Sequence, residues 1–309
     1  MKETASTGLP VLLSHTLAAS AEHNGKVRVC VIMTSFNRRE ITLECLRVLT
    51  HSQDLEAVCL SMVLADDGST DGTCEAVQSE FPWVEIVHGD GALFWCRGMY
   101  TAWQVARQGN YDFYLWLNDD TRLCTDALAR LLVCEQSLRS GNAAPVIVVG
   151  STRDEKSGVL TYGGEVRSKY WRTRFRKVGL AEHPQRCDSM TGNIVLVSPA
   201  AMKLVGNLDP AFEHAMGDTD YALRANRLGV PVWAAPGVFG VCSDNSTRGT
   251  FSDSNLPLRR RWKSMMSHKG LPWRSWLLFT RRHTGWFWPV YFCWPYVRVV
   301  VESVVRGKL

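Results

Sequence analysis

Two short acidic stretches hold the residue types best suited to chemistry in this 309-residue chain. The first is "NDDT" (118–121), where the apolar run Tyr111 to Leu117 ends in Asn118, Asp119 and Asp120. Carboxylates delivered by the end of a buried strand can hold a hard cation such as Mg²⁺ or Mn²⁺ against a phosphate-bearing ligand. The second is "GDTDYALRANRLG" (217–229), in which Asp218 and Asp220 open a helix whose apolar stripe is Tyr221, Ala225 and Leu228. The helix dipole stabilises negative charge there, and a carboxylate so placed can act as a general base. Both stretches also have a plainer reading, as an Asx-turn and an N-terminal cap.

The elements that would position them alternate between strands and helices. Strands are predicted at 27–34, 58–67, 84–89 and 111–117, and helices at about 38–49, after 69, and at 96–109; Ile41, Cys45, Leu46 and Leu49 form the buried face of the first helix. Continuous apolar strands separated by helices imply an α/β fold with a mostly parallel sheet flanked by helices. Ligands of such sheets collect at the carboxyl ends of the strands. Here those ends read "TSFNR" (34–38), "ADDGSTDGT" (65–73), "HGDGALFWCRG" (88–98) and "NDDT". The chain has neither Gly-x-Gly-x-x-Gly after the first strand nor a phosphate loop ending in Gly-Lys-Ser/Thr, which disfavours a dinucleotide dehydrogenase or a P-loop enzyme.

The series "VIMTSFNR", "LADDGSTDGT", "LWLNDDT", "TGNIVLVS" and "GDTDYALRANRLG" resembles glycosyltransferase family 2, the inverting transferases of the GT-A fold, over residues 27 to 245. The stretch "GALFWCRGMYTAW" is similar to that of bacterial rhamnosyltransferase-like enzymes of cell-surface polysaccharide synthesis. The resemblance implies transfer of a sugar from a UDP- or dTDP-type donor to a lipid-linked or polysaccharide acceptor. Asp120 matches the last carboxylate of the family's Asp-x-Asp motif and is implied as the ligand of Mg²⁺ or Mn²⁺. Asn118, where the first Asp often stands, and Asp119 would contact the nucleotide. Asp218 matches the catalytic aspartate of a Glu-Asp-x-Asp motif whose Glu is replaced by Gly217. Asp67 would accept a hydrogen bond from the imide N–H of uracil or thymine. Thr34, Ser35 and Asn37 would line the base and ribose, Arg97 the diphosphate, and Thr191, Gly192 and Asp220 the donor sugar or acceptor. A sugar nucleotidyltransferase and a non-catalytic nucleotide-sugar-binding protein are the alternatives. The first lacks its phosphate loop here, and retention of Asp120 and Asp218 speaks against the second.

Four features fall outside that pattern. The ten cysteines lack the close pairs of zinc or redox motifs and read as thiols of a reducing compartment, placing the protein in the cytoplasm. "GGEVRSKYWRTRFRKVG" (163–179) interleaves bases with aromatics, as an acceptor-phosphate grip or a solvated hairpin; a nucleic-acid partner is not expected, because no nucleic-acid fold accompanies it. His214, just before the acidic helix, could assist acceptor binding. The charge of +5 is concentrated at the end: nine Lys or Arg and no Asp or Glu lie between Ser254 and Val301, with six of the twelve tryptophans. The expected organisation is an N-terminal extension (1–26), a catalytic domain (27–250) and a basic, Trp-rich C-terminal segment (251–309). Its uncharged stretch, Thr284 to Val297, is shorter than a spanning helix and contains Pro289 and Pro295. Peripheral attachment to the cytoplasmic face of a membrane is therefore expected, with packing on the core or on a second subunit as the alternative. On the membrane reading, Arg274, Arg281 and Arg282 face lipid phosphates, and removal of 271–309 leaves a folded, nucleotide-binding sheet.

Overall fold

The computed structural model describes residues 25–52, 55–139, 144–244 and 246–308, so the expectation for the N-terminal extension lies almost wholly outside the described residues. Strand β1 (Val27–Ser35) pairs in parallel with β2 (Val58–Asp66) and with β4 (Phe113–Leu117), and β2 pairs in parallel with β3 (Val84–His88). Beyond β4 the sheet changes direction. Strand β11 (Ile194–Val197) runs antiparallel to both β4 and β6 (Ile147–Arg153), and β12 (Val232–Val241) pairs in parallel with β6 and antiparallel with β5 (Arg122–Leu123) and β9 (Gln185–Cys187). A small antiparallel sheet of β7 (Gly164–Arg167), β8 (Phe175–Lys177) and β10 (Ser189–Met190) stands beside it. The architecture is the expected helix-flanked, largely parallel sheet, with its reversal at β11.

The strand pleat divides the core in two. On one side Ile32, Ala65, Tyr114, Trp116 and Val195 pack under α3 (Phe94–Ala106) and α6 (Gly217–Arg227). On the other, Val31, Met33, Leu64, Leu115 and Leu196 pack under α1 (Arg39–Thr50) and α4 (Ala127–Leu138). Alternation with a period of two makes both faces apolar, which is why these strands read as continuous hydrophobic runs. Helix α2 (Thr73–Glu80) follows β2, and α5 (Pro199–Val205) follows β11, its Ser198 side chain accepting from the Ala201 N–H as an N-terminal cap. Two side chains assigned to apolar stripes instead face solvent: Ile41 and Leu228 are each more than half or about half exposed, with Thr42 and Leu43 taking the buried positions of α1.

The C-terminal segment forms α7 (Leu258–Met265), α8 (Trp273–His283) and α9 (Trp288–Val305). Trp276 and Phe279 of α8 are buried in the same cluster as β4 and α6. Arg282 is ion-paired to Asp209 and Asp220, so it does not face lipid. Arg261 of α7 is buried and donates to Glu302 (2.8 Å) and Ser303 (3.1 Å) of α9, which ties α9 to α7. Helix α9 runs through Pro295 without interruption. No helix among the described residues is long and apolar enough to cross a membrane.

Candidate active site

The acidic end of β4 meets the loop after β1. One guanidinium nitrogen of Arg38, Nη1, lies 2.9 Å from Asp119 Oδ1 and 2.8 Å from Asp120 Oδ2. Asp119 is buried, and burial pushes its carboxyl up to about 6, with Arg38 pulling it down and Asp120 adding to the rise. Asp120 is partly exposed, and its Oδ1 faces Cys242 Sγ at 3.6 Å. Two adjacent carboxylates bridged by a single positive group form a site already arranged for cationic charge. An exposed carboxylate beside a buried one suits a hard divalent ion that keeps part of its water shell, so the residues fit such an ion, held by Asp120 with Asp119 behind it. Arg38 ends the "TSFNR" stretch, and its position as the first cation after β1 is the signal the sequence holds for it.

Asn118 performs a different task. Its Oδ1 accepts from the indole N–H of Trp95 at 2.8 Å. The Trp95 ring lies close to Gly192, where a Cβ would run into it, and the Gly192 N–H donates to Asp218 Oδ2 at 3.0 Å. Asp218 Oδ1 accepts from the Thr219 N–H at 2.7 Å. Thus one indole stands between Asn118 and Gly192, and the Gly192 amide reaches Asp218. Burial raises the Asp218 carboxyl above the ordinary aspartate range, opposed by the amides of Thr219 and Gly192. A raised carboxyl is a better proton acceptor than an ordinary aspartate.

Other candidate residues serve the frame rather than the cleft. Asp67 is buried, and its two oxygens accept the N–H groups of Gly91 (3.0 Å), Leu93 (3.1 Å) and Phe94 (2.9 Å), fixing the loop that starts α3. The neighbouring Asp66 retains an unpartnered Oδ1, and with Cys74 and His88 it forms the one three-residue group among the described residues whose potential metal-ligand atoms lie within 4.8 Å. Thr34 donates to the Ala65 carbonyl (3.1 Å), Ser35 shares a hydrogen bond with Thr42 (2.8 Å), and Asn37 accepts from the Thr70 N–H (2.7 Å). Thr191 Oγ1 accepts from the Gly163 N–H at 2.9 Å. Arg97 donates to the Pro210 carbonyl (2.9 Å) and pairs with Glu213. Asp220 is fully buried between Arg224, Arg282 and His283, all within 2.8 Å, so it is a structural anchor with no surface for an acceptor.

Further groups lie near the cleft. His268 stacks on Phe94 at 4.0 Å and lies 5.5 Å from His214, and Lys269 follows it. The His214 Nδ1 faces the Trp95 N–H at 3.4 Å; burial first, then Lys269, His268 and Arg38, pushes its ring down to about 4, so it is neutral at pH 7. Glu165 of β7 is pushed up to about 7 by burial and by the charge of Asp218. The three non-glycine residues with left-handed φ among the described ones are Asn37 (51°), in the loop after β1, Phe94 (55°), the first residue of α3, and Met216 (74°), which precedes α6. Such strained positions cluster where surrounding structure holds functional groups in place. Beside Thr219 and Met216, a cavity of about 290 Å³ opens between the 163–179 hairpin and the C-terminal helices, walled by Trp171, Phe175, Trp276 and Trp294. The hairpin is therefore one wall of a cavity, a role that its composition alone left open.

A family model described as "Glycosyl transferase family 2" matches residues 30–193. No curated protein matches the sequence. Among solved structures, the chain is similar to a mannosyltransferase, PcManGT from Pyrobaculum calidifontis, in complex with GDP-Man and Mn²⁺: TM-score 0.51, 16% identity, 96% of this chain and 81% of that one. It is also similar to GalNAc-T7 with UDP, GalNAc and Mn²⁺ (0.54, 10%, covering 76% of this chain and 52% of that one). A third is S. aureus TarS 1-349 in complex with UDP-GlcNAc (0.51, 11%, covering 77% of this chain and 64% of that one). At these identities the likeness is one of fold.

Proposed function

The chain belongs to glycosyl transferase family 2, and from that premise we propose that it is an inverting transferase using Asp218 as its base. The observation that carries the proposal is the line Asn118–Trp95–Gly192–Asp218, which sets one half-buried carboxyl across a single indole from a second pair of carboxylates. That arrangement suits a donor whose diphosphate lies toward Asp119 and Asp120 and whose sugar rests over Trp95. The acceptor hydroxyl approaches from the Thr219 side. Asp218 removes its proton as the oxygen forms a bond to the anomeric carbon, the bond from that carbon to the diphosphate oxygen breaks, and the configuration inverts.

A divalent ion, Mg²⁺ or Mn²⁺, held by Asp120 would neutralise charge on the leaving diphosphate. One structural neighbour was solved with GDP-Man and Mn²⁺ and another with UDP, GalNAc and Mn²⁺, which supports the same ligand class here. Arg38, released from the carboxylates, would turn to the phosphates. For a UDP- or dTDP-type donor, the base would lie at the end of β2, beside Asp66 and Asp67. The proposed acceptor is a lipid-linked glycan of cell-surface polysaccharide synthesis, its sugar ring received by the aromatic cavity beside Thr219 and its lipid left in the cytoplasmic face of the membrane. Aromatic walls suit the apolar faces of sugar rings.

The test is Asp218→Asn, which keeps size and hydrogen-bonding capacity but loses the proton acceptor. Turnover of a nucleotide-sugar panel should fall roughly 10²–10⁴-fold while donor binding persists. Full turnover by that variant removes Asp218 as the base.

A further inference from the structure

At the C-terminal end of α8 lies a second, cationic cavity of about 480 Å³, lined by Arg167, Arg172, Arg227, Arg282, His283 and Gly285 among others. Arg282 is neutralised by Asp209 and Asp220. The other three arginines have no ion pair among the described residues and bond only to neutral groups. Arg167 donates to the His283 carbonyl (2.8 Å), Arg172 to the Thr284 carbonyl (3.4 Å), and Arg227 to the Arg282 carbonyl (2.9 Å) and to His283 Nδ1 (3.2 Å). An arginine can only donate, so His283 Nδ1 is an acceptor and its Nε2 carries the proton given to Asp220. The ring is neutral and adds no charge, and burial lowers its affinity for a second proton.

Asp188 is the one carboxylate in the lining, and its Oδ2 accepts the backbone N–H of Arg167 at 2.7 Å. Three unpaired guanidiniums against one carboxylate leave an excess of two positive charges in a single recess. Arg167 is correspondingly held below the usual arginine range by burial and by the charge of Arg172, with Asp188 opposing and Arg227 reinforcing the shift. The floor of the recess is Gly285, and the next two residues are Trp286, 98% exposed, and Phe287, 72% exposed. From there an apolar stripe of α9 continues in solvent through Val290, Val297, Val301 and Val304, at helical spacing on the side opposite the buried Val299 and Ser303.

We propose that Arg167, Arg172 and Arg227 form a binding site for the phosphate of a membrane lipid headgroup, with Trp286 and Phe287 seated in the adjoining interfacial layer. Guanidinium forks match phosphate oxygens in geometry and charge. Tryptophan and phenylalanine directly beside the recess are the side chains that settle where headgroups meet acyl chains. The lipid is favoured over a free phosphate because the cationic recess and the unpartnered apolar stripe adjoin at Gly285–Trp286. The site rests on the membrane attachment in the proposed function but not on the transferase chemistry, since Arg172 and Trp286 touch none of the groups around Asp218 or Asp120.

Full-length protein is mixed at low salt with vesicles of phosphatidylcholine alone or with added phosphatidylglycerol, and co-sedimentation is measured. Binding to the anionic vesicles is expected, weakened about tenfold by Arg172→Gln, a change at an exposed residue, and by Trp286→Ser. Inorganic phosphate should raise the unfolding temperature of the unaltered protein and of Trp286→Ser, and raise it less for Arg172→Gln. Phosphate stabilisation without vesicle binding overturns the lipid assignment, as does vesicle binding indifferent to Arg172→Gln. An unchanged unfolding temperature in millimolar phosphate overturns the anion site itself. Nucleotide binding, measured in parallel with UDP and Mn²⁺, reports separately on the transferase reading.

Discussion

Arg282, near the end of α8, donates to Asp220 Oδ1 at 2.7 Å, and Asp220 lies two residues after the proposed base on α6. Arg224 and His283 complete the contacts of that carboxylate, which its partners hold below the usual aspartate range against the opposing effect of burial. The C-terminal segment is therefore bonded to the helix that carries Asp218.

Asp220→Ala should destabilise the protein by about 3–5 kcal/mol in denaturant unfolding, because it strands buried partners of a charge network. Deleting residues 271–309 should aggregate or unfold the chain, since it uncovers the cluster that holds Trp276 and Phe279. This reverses the expectation that the sheet stands without its tail. A soluble truncated chain with unchanged nucleotide affinity would refute it.

Gly192→Ala should lower kcat while leaving the overall fold intact, because its Cβ meets the Trp95 ring and must push the indole off Asn118. Overpacking of this kind costs about 1–3 kcal/mol in stability. Near-ultraviolet circular dichroism should show the displaced tryptophan. Wild-type kinetics would mean that Trp95 does not set the cleft.

Arg38→Gln should strengthen Mn²⁺ binding in the absence of donor, as Asp119 and Asp120 lose their internal cation, yet weaken donor binding. Asp120→Ala should abolish the metal-dependent part of donor affinity. Calorimetric titrations with and without EDTA check both, and equal donor affinity in Mn²⁺ and EDTA for the unaltered protein rules out the metal assignment.

Glu165 supplies a pH test. Its folded carboxyl is raised from 4.5 to about 7, so between those values the folded state holds a proton that the unfolded state has released. Its contribution to stability is full below pH 4.5, falls as pH rises through the window, and levels off above about 7. Glu165→Gln should remove that slope from a series of denaturant midpoints. An identical slope in the variant would show that Glu165 does not titrate there.

The strands and first helices were legible because an apolar run with period two or 3.6 is a local signal, and β1 to β4 follow it closely. The reversal at β11 was not, since "TGNIVLVS" carries no mark of strand direction. At the site, Asp119, Asp120 and Asp218 were visible as carboxylates at element ends. What spacing could not reveal was which of two neighbours faces the cleft: Asp67 turns to backbone amides and Asp220 to the tail, whereas Asp218 meets Gly192. Trp95, Arg38 and His268 act through contacts across tens to more than a hundred residues of chain, for which a single sequence holds no pattern.

The bonding of Asp220 to Arg282 and His283 also orders events during synthesis. Sheet strands β1 to β4 can pair while the chain is still emerging from the ribosome, as N-terminal regions generally do first. The proposed base cannot reach its final setting at that stage, because the partners of the adjacent buried carboxylate have yet to be translated. The setting of the proposed base would thus be completed only after Arg282 and His283 have emerged, and shorter nascent chains would leave the cluster that takes in Trp276 and Phe279 uncovered.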